Sequence, residues 1–442
     1  MGNSDAVMSS PAGGPLRGAI SAPGDKSISH RALIFGAMAS GRSEVAGLLE
    51  GEDVLRTAAA MRALGARVER EAGVWRIDGG PWRSPNRALY FGNSGTGARL
   101  AMGAVAGARI GASFDGDASL RVRPMGRVLE PLRMMGIEAE DRDGKLPVTI
   151  ESGAQLAAIG CKLTRPSAQV KSAVLLAALG ADGTTRIHEP ALCRDHTERM
   201  LASFGVELSF EADGGVGRYI EIKGGQTLNP ATTKVPGDPS SAAFLVAAAL
   251  ITPGSDIVVR NILTNVLRAG FYETLRDMGA DIAFENRREA SGEPTADIRV
   301  RASVLHGCDV PAERAPSMID EYPVLAVLAA FASGETKMRG LDELKIKESD
   351  RIGAVKAGLA ACGVEAESGA DWLRVVGAGG PPPGGARVRT HRDHRIAMSF
   401  LVMGAASREP VEIDHGAMIA TSFPDFVDAM NALGAKVASA TN

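Results

Sequence analysis

Two carboxylates, Asp320 and Glu348, stand in stretches otherwise loaded with cations and small polar residues. Lys26, Ser27 and Arg31 follow the turn Pro23-Gly24-Asp25. Asn93, Gly95 and Thr96 lie in Gly92-Asn93-Ser94-Gly95-Thr96-Gly97, with Arg99 just beyond, and Arg123 precedes Pro124. Ser167, Ala168 and Gln169 are followed by Lys171. Lys347 and Arg351 flank Glu348, and His394 and Arg395 close the series. Lys and Arg at this density clamp phosphate or carboxylate groups, with Arg able to bind in two places at once. A carboxylate among them suits proton transfer, although the cations oppose its protonation.

Each stretch has an ordinary reading when taken alone. Lys345–Arg351 is a charged, solvated turn, His394 beside Asp393 is a paired surface histidine, and Asp320 is a simple helix cap. Their shared position carries more weight. Most precede an apolar run, as Ala32–Ala39 follows Arg31, so the spacing predicts helix N-termini. Unpaired N–H groups and the positive end of the dipole collect there and favour an anion. The Gly-rich bend lacks the spacing and Lys of a nucleotide P-loop.

Buried, all-apolar helices are expected to open near Ser27, Ser94, Ser167, Pro239, Ser317 and Asp393. The stretch Lys345–Arg351 should open an amphipathic helix, and Arg121–Pro124 another, with the proline in its first turn. A second series ends at Gly65, Gly136, Gly205, Gly279, Gly363 and Gly434, spaced by 71, 69, 74, 84 and 71 residues. Each glycine suits the left-handed position that ends a helix. Six units of about 70 residues point to repeated α/β modules. The turn Pro236-Gly237-Asp238 echoes Pro23-Gly24-Asp25 and suggests two crossings between domains. The expected division is 1–23 plus 238–442, with a strand near Leu16–Ser21, and an inserted domain 24–237. Glu285–Thr295 and Gly377–Gly385 read as surface loops, and residues 1–14 as a disordered leader without signal-peptide order.

Composition narrows the class. A chain of 442 residues with 45% apolar content needs more than one core. A net charge of −3 and 4% aromatics argue against nucleic-acid binding. No apolar run is long enough to span a membrane. The four cysteines are scattered, so neither disulfides nor a zinc site is expected, and a reducing cytoplasm fits. No metal-ligand spacing of His, Cys and carboxylates is present, and neither a metal nor a cofactor is expected.

The motifs Pro-Gly-Asp-Lys-Ser-Ile-Ser-His-Arg, Gly-Asn-Ser-Gly-Thr, Arg-Pro-Met-Gly, Ser-Ala-Gln-Val-Lys-Ser-Ala, Lys-Glu-Ser-Asp-Arg and Asp-His-Arg-Ile-Ala-Met resemble the 5-enolpyruvylshikimate-3-phosphate (EPSP) synthase family from about Leu16 onward, most nearly its bacterial class II form. The resemblance implies a two-domain fold, each domain of three βαβαββ units with buried parallel helices, and a site in the interdomain cleft. It implies transfer of the enolpyruvyl group of phosphoenolpyruvate to the 5-hydroxyl of shikimate 3-phosphate. Lys26 would touch both substrates. Ser27, Arg31, Ser167, Ala168, Gln169 and Arg194 would hold shikimate 3-phosphate. Gly95, Arg123, Gln169, Arg351 and Arg395 would surround phosphoenolpyruvate, with Asn93, Thr96, Lys347 and His394 completing the lining. Asp320 would accept the hydroxyl proton, and Glu348 would help protonate the methylene carbon.

Two departures from the class I pattern stand out. Leu100 follows Arg99 where class I has Pro, and Thr421 stands where class I has Lys. Gly95 leaves room for the inhibitor glyphosate, so partial sensitivity is expected. The rival within the same fold is the transferase acting on UDP-N-acetylglucosamine, which carries Cys where Ala118 stands here. A non-catalytic anion-binding relative is the rival from another class. The expected partners are the two small substrates, with no nucleic acid and no membrane, and the expected state is a monomer.

Overall fold

The computed structural model describes residues 7–439. The chain divides into two compact units. One runs from the described start to Pro23, then Pro236–Arg288, then Pro294 to the described end. The other comprises Gly24–Val235 and Glu289–Glu293.

Among the described residues, each unit holds three four-stranded sheets built to one plan. In the Gly24–Val235 unit the first sheet orders Thr232–Lys234, Arg42–Ala46, Val74–Asp78 and Arg67–Glu71. Its first pair is parallel and the next two are antiparallel. The sheets containing Ala112–Asp115 and Thr184–Glu189 repeat that pattern. A parallel pair needs a crossover: Gly95–Gly107 supplies it between Leu89–Tyr90 and Ala112–Asp115, and Ala168–Ala178 between Gly160–Lys162 and Thr184–Glu189, whereas most of the unit lies between Arg42–Ala46 and Thr232–Lys234.

Three helices fill the core of this unit: Lys26–Met38, Gly95–Gly107 and Ala168–Ala178. The last two pack backbone to backbone. A Cβ added at Gly103 would run into the backbone of Ala173, so only glycine allows this approach.

In the other unit the core helices are Pro239–Ile251, Tyr322–Phe331 and His394–Gly404, and all three are buried along their whole length. Such helices have no polar face to present to water, which is why the sequence reads as apolar all round. The N-terminal chain completes two of this unit's sheets. Arg17–Ser21 pairs in parallel with Asp256–Leu263. Met8–Ser10 lies between Val411–Ile413 and Ala438–Ser439, antiparallel to both. The expected leader 1–14 is therefore a sheet strand in part; residues 1–6 lie outside the described residues.

The six helix-terminating glycines all have positive φ, from 74° at Gly363 to 115° at Gly65. The helix openings differ more from expectation. The first core helix does open beside Ser27, at Lys26, and Asp25 caps it by accepting from the Ile28 N–H at 2.8 Å. The fifth core helix starts at Tyr322, and Ser317 belongs to a separate turn, Ala315–Met318, interrupted before the apolar run. Pro124 precedes the Gly126–Met134 helix instead of sitting in its first turn.

Glu285–Thr295 is not a loop. Strands Asp281–Ala290 and Glu293–Arg301 meet at Ser291-Gly292, with φ of 51° and 78°, the geometry of a tight hairpin turn. Charged residues fill the exposed positions of these strands and mask their β character.

Candidate active site

The two units each assemble part of the predicted residue set. In the Gly24–Val235 unit, three core helices bring their N-terminal residues together. Ser94 caps its helix by accepting from Gly97 N at 3.3 Å, and Ser167 caps the next through Val170 N at 3.4 Å. Gln169 ties these openings together, accepting from Arg99 Nη1 and donating to Thr96 Oγ1, both at 2.9 Å. Arg99 also donates to the Pro124 carbonyl at 2.9 Å. Arg123 is buried and donates to Asn93 Oδ1, so the bend 92–97 and the Arg123 strap hold one another. Gly95 leaves a tight space: an added methyl carbon would lie 2.7 Å from Arg99 Nη1 and 3.3 Å from Arg123 Nη1.

Lys26 forms an ion pair with buried Asp53, at the start of the Glu52–Leu64 helix. Arg31 is almost fully buried and donates to the Ser27 carbonyl at 2.9 Å. Burial lowers the Arg31 pKa to about 10, an effect that Glu198 and Asp25 oppose and Arg194 reinforces, so Arg31 stays charged at neutral pH. His30, between these cations, hydrogen-bonds Thr57 Oγ1 at 2.8 Å. Burial first, then Lys26 and Arg31, push its pKa well below 6.5, and it is neutral.

Lys171 behaves differently from the other predicted cations. It has no exposed side-chain surface and pairs with Glu189 and Glu198, each at 2.7 Å. Arg218 reaches the same two carboxylates. This is an internal charge network and not a ligand clamp.

In the second unit Arg351 is the centre. Its side chain is 1% exposed and meets three carboxylates. Nε donates to Asp393 Oδ2 at 2.8 Å, Nη1 to Asp320 Oδ1 at 3.3 Å and Nη2 to Glu348 Oε2 at 2.5 Å. The pKa of Arg351 is raised, since these carboxylates outweigh the burial penalty. Burial would lift the pKa of Asp393, but the Arg351 charge and hydrogen bond hold it below the ordinary carboxylate value.

Asp320 Oδ1 also lies 4.0 Å from Lys347 Nζ and 3.9 Å from Arg395 Nε. Arg395 further donates to the Asp320 carbonyl at 3.3 Å. Asp320 is therefore no simple helix cap. His394 is buried, so its reading as a surface histidine does not hold. Asp393, the buried anchor of the group, was legible only as a cap. It does cap, accepting from Arg395 N at 3.0 Å, and accepts from Ser349 Oγ at 3.0 Å as well.

Sequence spacing missed one further cluster. Asp195, His196 and Glu293 are buried with ligand atoms within 4.8 Å of one another. His196 Nδ1 and Glu293 Oε1 are 2.6 Å apart, and Arg199 Nε donates to Asp195 Oδ2 at 2.9 Å. Arg199 already brings these carboxylates the positive charge that a metal would otherwise supply. Glu293 lies 97 residues from His196, so no local motif could announce the group.

The family described as EPSP synthase (3-phosphoshikimate 1-carboxyvinyltransferase) matches residues 11–430. The chain belongs to the EPSP synthase family. The 3-phosphoshikimate 1-carboxyvinyltransferase of Methylorubrum populi is 57% identical over 439 residues, covering 98% of this chain and 97% of that protein. That of Caulobacter vibrioides is 54% identical, covering 98% and 99%. The solved EPSP synthase of Acinetobacter baumannii has a TM-score of 0.86 at 41% identity, covering 98% and 100%. The enolpyruvyl transferase NikO of Streptomyces tendae, at 19% identity and a TM-score of 0.77, shares the fold. This family member is an enzyme, a transferase of the shikimate pathway in aromatic biosynthesis. The UDP-N-acetylglucosamine alternative is not favoured. Among the described residues, no helix is long and apolar enough to cross a membrane.

Proposed function

We propose that the two residue groups serve one reaction: transfer of the enolpyruvyl group of phosphoenolpyruvate to the 5-hydroxyl of shikimate 3-phosphate, releasing phosphate. The observation that carries this reading is the set of contacts to Asp320 Oδ1. A single carboxylate oxygen has three cations within 4.0 Å, beside a second carboxylate, Glu348, on the same arginine.

In this reading Lys26, Ser27, Arg31, Ser167, Ala168, Gln169 and Arg194 hold shikimate 3-phosphate. Gly95, Arg123, Gln169, Arg351 and Arg395 hold phosphoenolpyruvate, lined by Asn93, Thr96, Lys347 and His394. Two multiply charged anions repel one another, and only a dense array of fixed cations brings them into reacting distance. Asp320 takes the 5-hydroxyl proton as that oxygen bonds to C2 of phosphoenolpyruvate. The methylene carbon C3 gains a proton with help from Glu348, giving a tetrahedral ketal phosphate. Loss of a C3 proton and departure of phosphate then restore the double bond.

The class II assignment and a monomeric, cytoplasmic enzyme belong to the same reading. Four free cysteines among the described residues fit a reducing compartment. Asp320→Ala tests the central role. Turnover should fall by about 10²–10⁴-fold, while calorimetry still detects bound shikimate 3-phosphate. A variant that retains near-normal turnover would remove Asp320 from the mechanism.

A further inference from the structure

We propose that Ser349 is a positioning residue whose hydroxyl clasps the turn carrying Glu348 to the buried carboxylate of Asp393. The inference rests on the reading of Asp320, Glu348 and Arg351 as one reaction site and extends it to a residue with no role in that reading. Residues 347–350 lie between the short helical turn Asp342–Ile346 and the Arg351–Ala361 helix and belong to neither. No helix or strand ladder fixes Glu348, so side-chain contacts have to hold it in place. A serine at this point reads as a helix cap, but Asp350 fills that role, accepting from Gly353 N at 3.2 Å. The Ser349 hydroxyl turns instead to Asp393 Oδ2, at 3.0 Å and 44 residues away in the chain.

Four side chains close into a ring. Arg351 Nη2 donates to Glu348 Oε2 at 2.5 Å, and Arg351 Nε donates to Asp393 Oδ2 at 2.8 Å. Ser349 Oγ donates to the same Oδ2, and the peptide bond between Glu348 and Ser349 completes the circuit. Asp393 is held below the ordinary carboxylate pKa and is ionised at neutral pH, so it can only accept the hydroxyl proton. A bond to a charged acceptor of this kind is about twice as strong as one between neutral groups.

One side of the ring is fixed. The Arg351 and Asp393 side chains are buried, and Asp393 opens the core helix His394–Gly404. Its other oxygen, Oδ1, accepts from Arg395 N at 3.0 Å, so the carboxylate cannot turn away. The movable side is the turn itself, which brings Glu348 to Arg351 and Lys347 to 4.0 Å from Asp320 Oδ1. Arg351 also donates to Asp320 Oδ1 at 3.3 Å. The Ser349 clasp thus sets where Glu348 stands relative to Asp320, the two carboxylates assigned to proton transfer. A misplacement of about 1 Å at a reacting group can cost on the order of 10²-fold in rate.

The test compares Ser349→Ala, which removes the hydroxyl, with the pair Ser349→Thr and Ser349→Val, which share one shape and differ in the hydroxyl alone. Phosphate release gives kcat and the KM for phosphoenolpyruvate, calorimetry gives shikimate 3-phosphate binding, and thermal unfolding gives stability. The inference expects Ser349→Ala and Ser349→Val to lower kcat about tenfold. Binding of shikimate 3-phosphate and the melting temperature should change far less, and Ser349→Thr should keep most of the wild-type kcat. The Thr and Val pair carries the comparison even if the added bulk disturbs packing, since both carry it. A kcat for Ser349→Ala equal to that of an active wild type overturns this inference alone. Equal impairment of Ser349→Thr and Ser349→Val also overturns it, since packing and not the hydroxyl would then explain the site. A wild type that releases no phosphate with shikimate 3-phosphate overturns the functional reading and this inference together.

Discussion

Gly95 shows how much one missing methyl group can decide. The added carbon of Gly95→Ala would crowd the guanidinium groups of Arg99 and Arg123, and both must shift to admit it. A ligand that extends toward this space suffers more than a compact one. We expect Gly95→Ala to weaken glyphosate inhibition by at least about tenfold while raising the KM for phosphoenolpyruvate less, because a steric conflict of this kind costs about 1–3 kcal/mol. Equal inhibition of both proteins would contradict the role given to Gly95.

His30 makes a second residue-scale prediction, this time in pH. Its folded-state pKa lies well below the ordinary 6.5, so the unfolded chain binds a proton that the folded chain refuses. Stability is therefore complete above about pH 6.5 and falls as pH drops below it, by about 1.4 kcal/mol per pH unit. Urea unfolding at pH 7.5 and 5.5 should show a larger loss in the wild type than in His30→Asn. Parallel losses would mean that His30 carries no such penalty.

The candidate catalytic residues were legible one by one, because Lys, Arg, Asp and Glu beside a helix opening form local motifs. Their supports were not. Thr197 reaches Arg31 across 166 residues, and Asp393 reaches Arg351 across 42. A hydroxyl that accepts from a buried arginine looks in sequence like any other threonine.

Elements were legible where a local rule has little competition. A glycine after an amphipathic run ends a helix because only it takes positive φ cheaply, and all six expected positions do so. Where tertiary context decides, the rules mislead. Ser317 has the chemistry of a cap, yet the chain spends another turn before the core helix begins. The Glu285–Thr295 segment pairs as a hairpin despite its charges, since the partner strand Glu293–Arg301 buries most of one face and the positive-φ turn at Ser291-Gly292 brings the two together.

Two element-scale outcomes follow. Asp25→Ala removes the acceptor for Ile28 N, and loss of a cap costs about 0.5–2 kcal/mol. Thermal unfolding should register that loss. Gly103→Ala forces apart the Gly95–Gly107 and Ala168–Ala178 helices, because the obstacle is Ala173 backbone and cannot rotate away. It should destabilise by about 1–3 kcal/mol and disturb the Gln169 bridge to Thr96 and Arg99 as well. A melting temperature and KM values equal to wild type would contradict the close-packed interface.

Over the whole molecule, cations are concentrated locally in a chain whose net charge is −3. Bulk charge thus gives no hint of an anion site, and the sheet plan repeated six times explains where the hint resides. Each repeat offers a helix opening, and the candidate site residues occupy several of these openings and the turns near them. The whole-molecule claim is that this arrangement runs one defined transfer between two anions.

The most direct measurement is phosphate release from phosphoenolpyruvate, with shikimate 3-phosphate and UDP-N-acetylglucosamine supplied as alternative acceptors. The account predicts release that depends on shikimate 3-phosphate, with one phosphate formed for each enolpyruvyl product. Release only with the sugar nucleotide, or none with either acceptor, would contradict it.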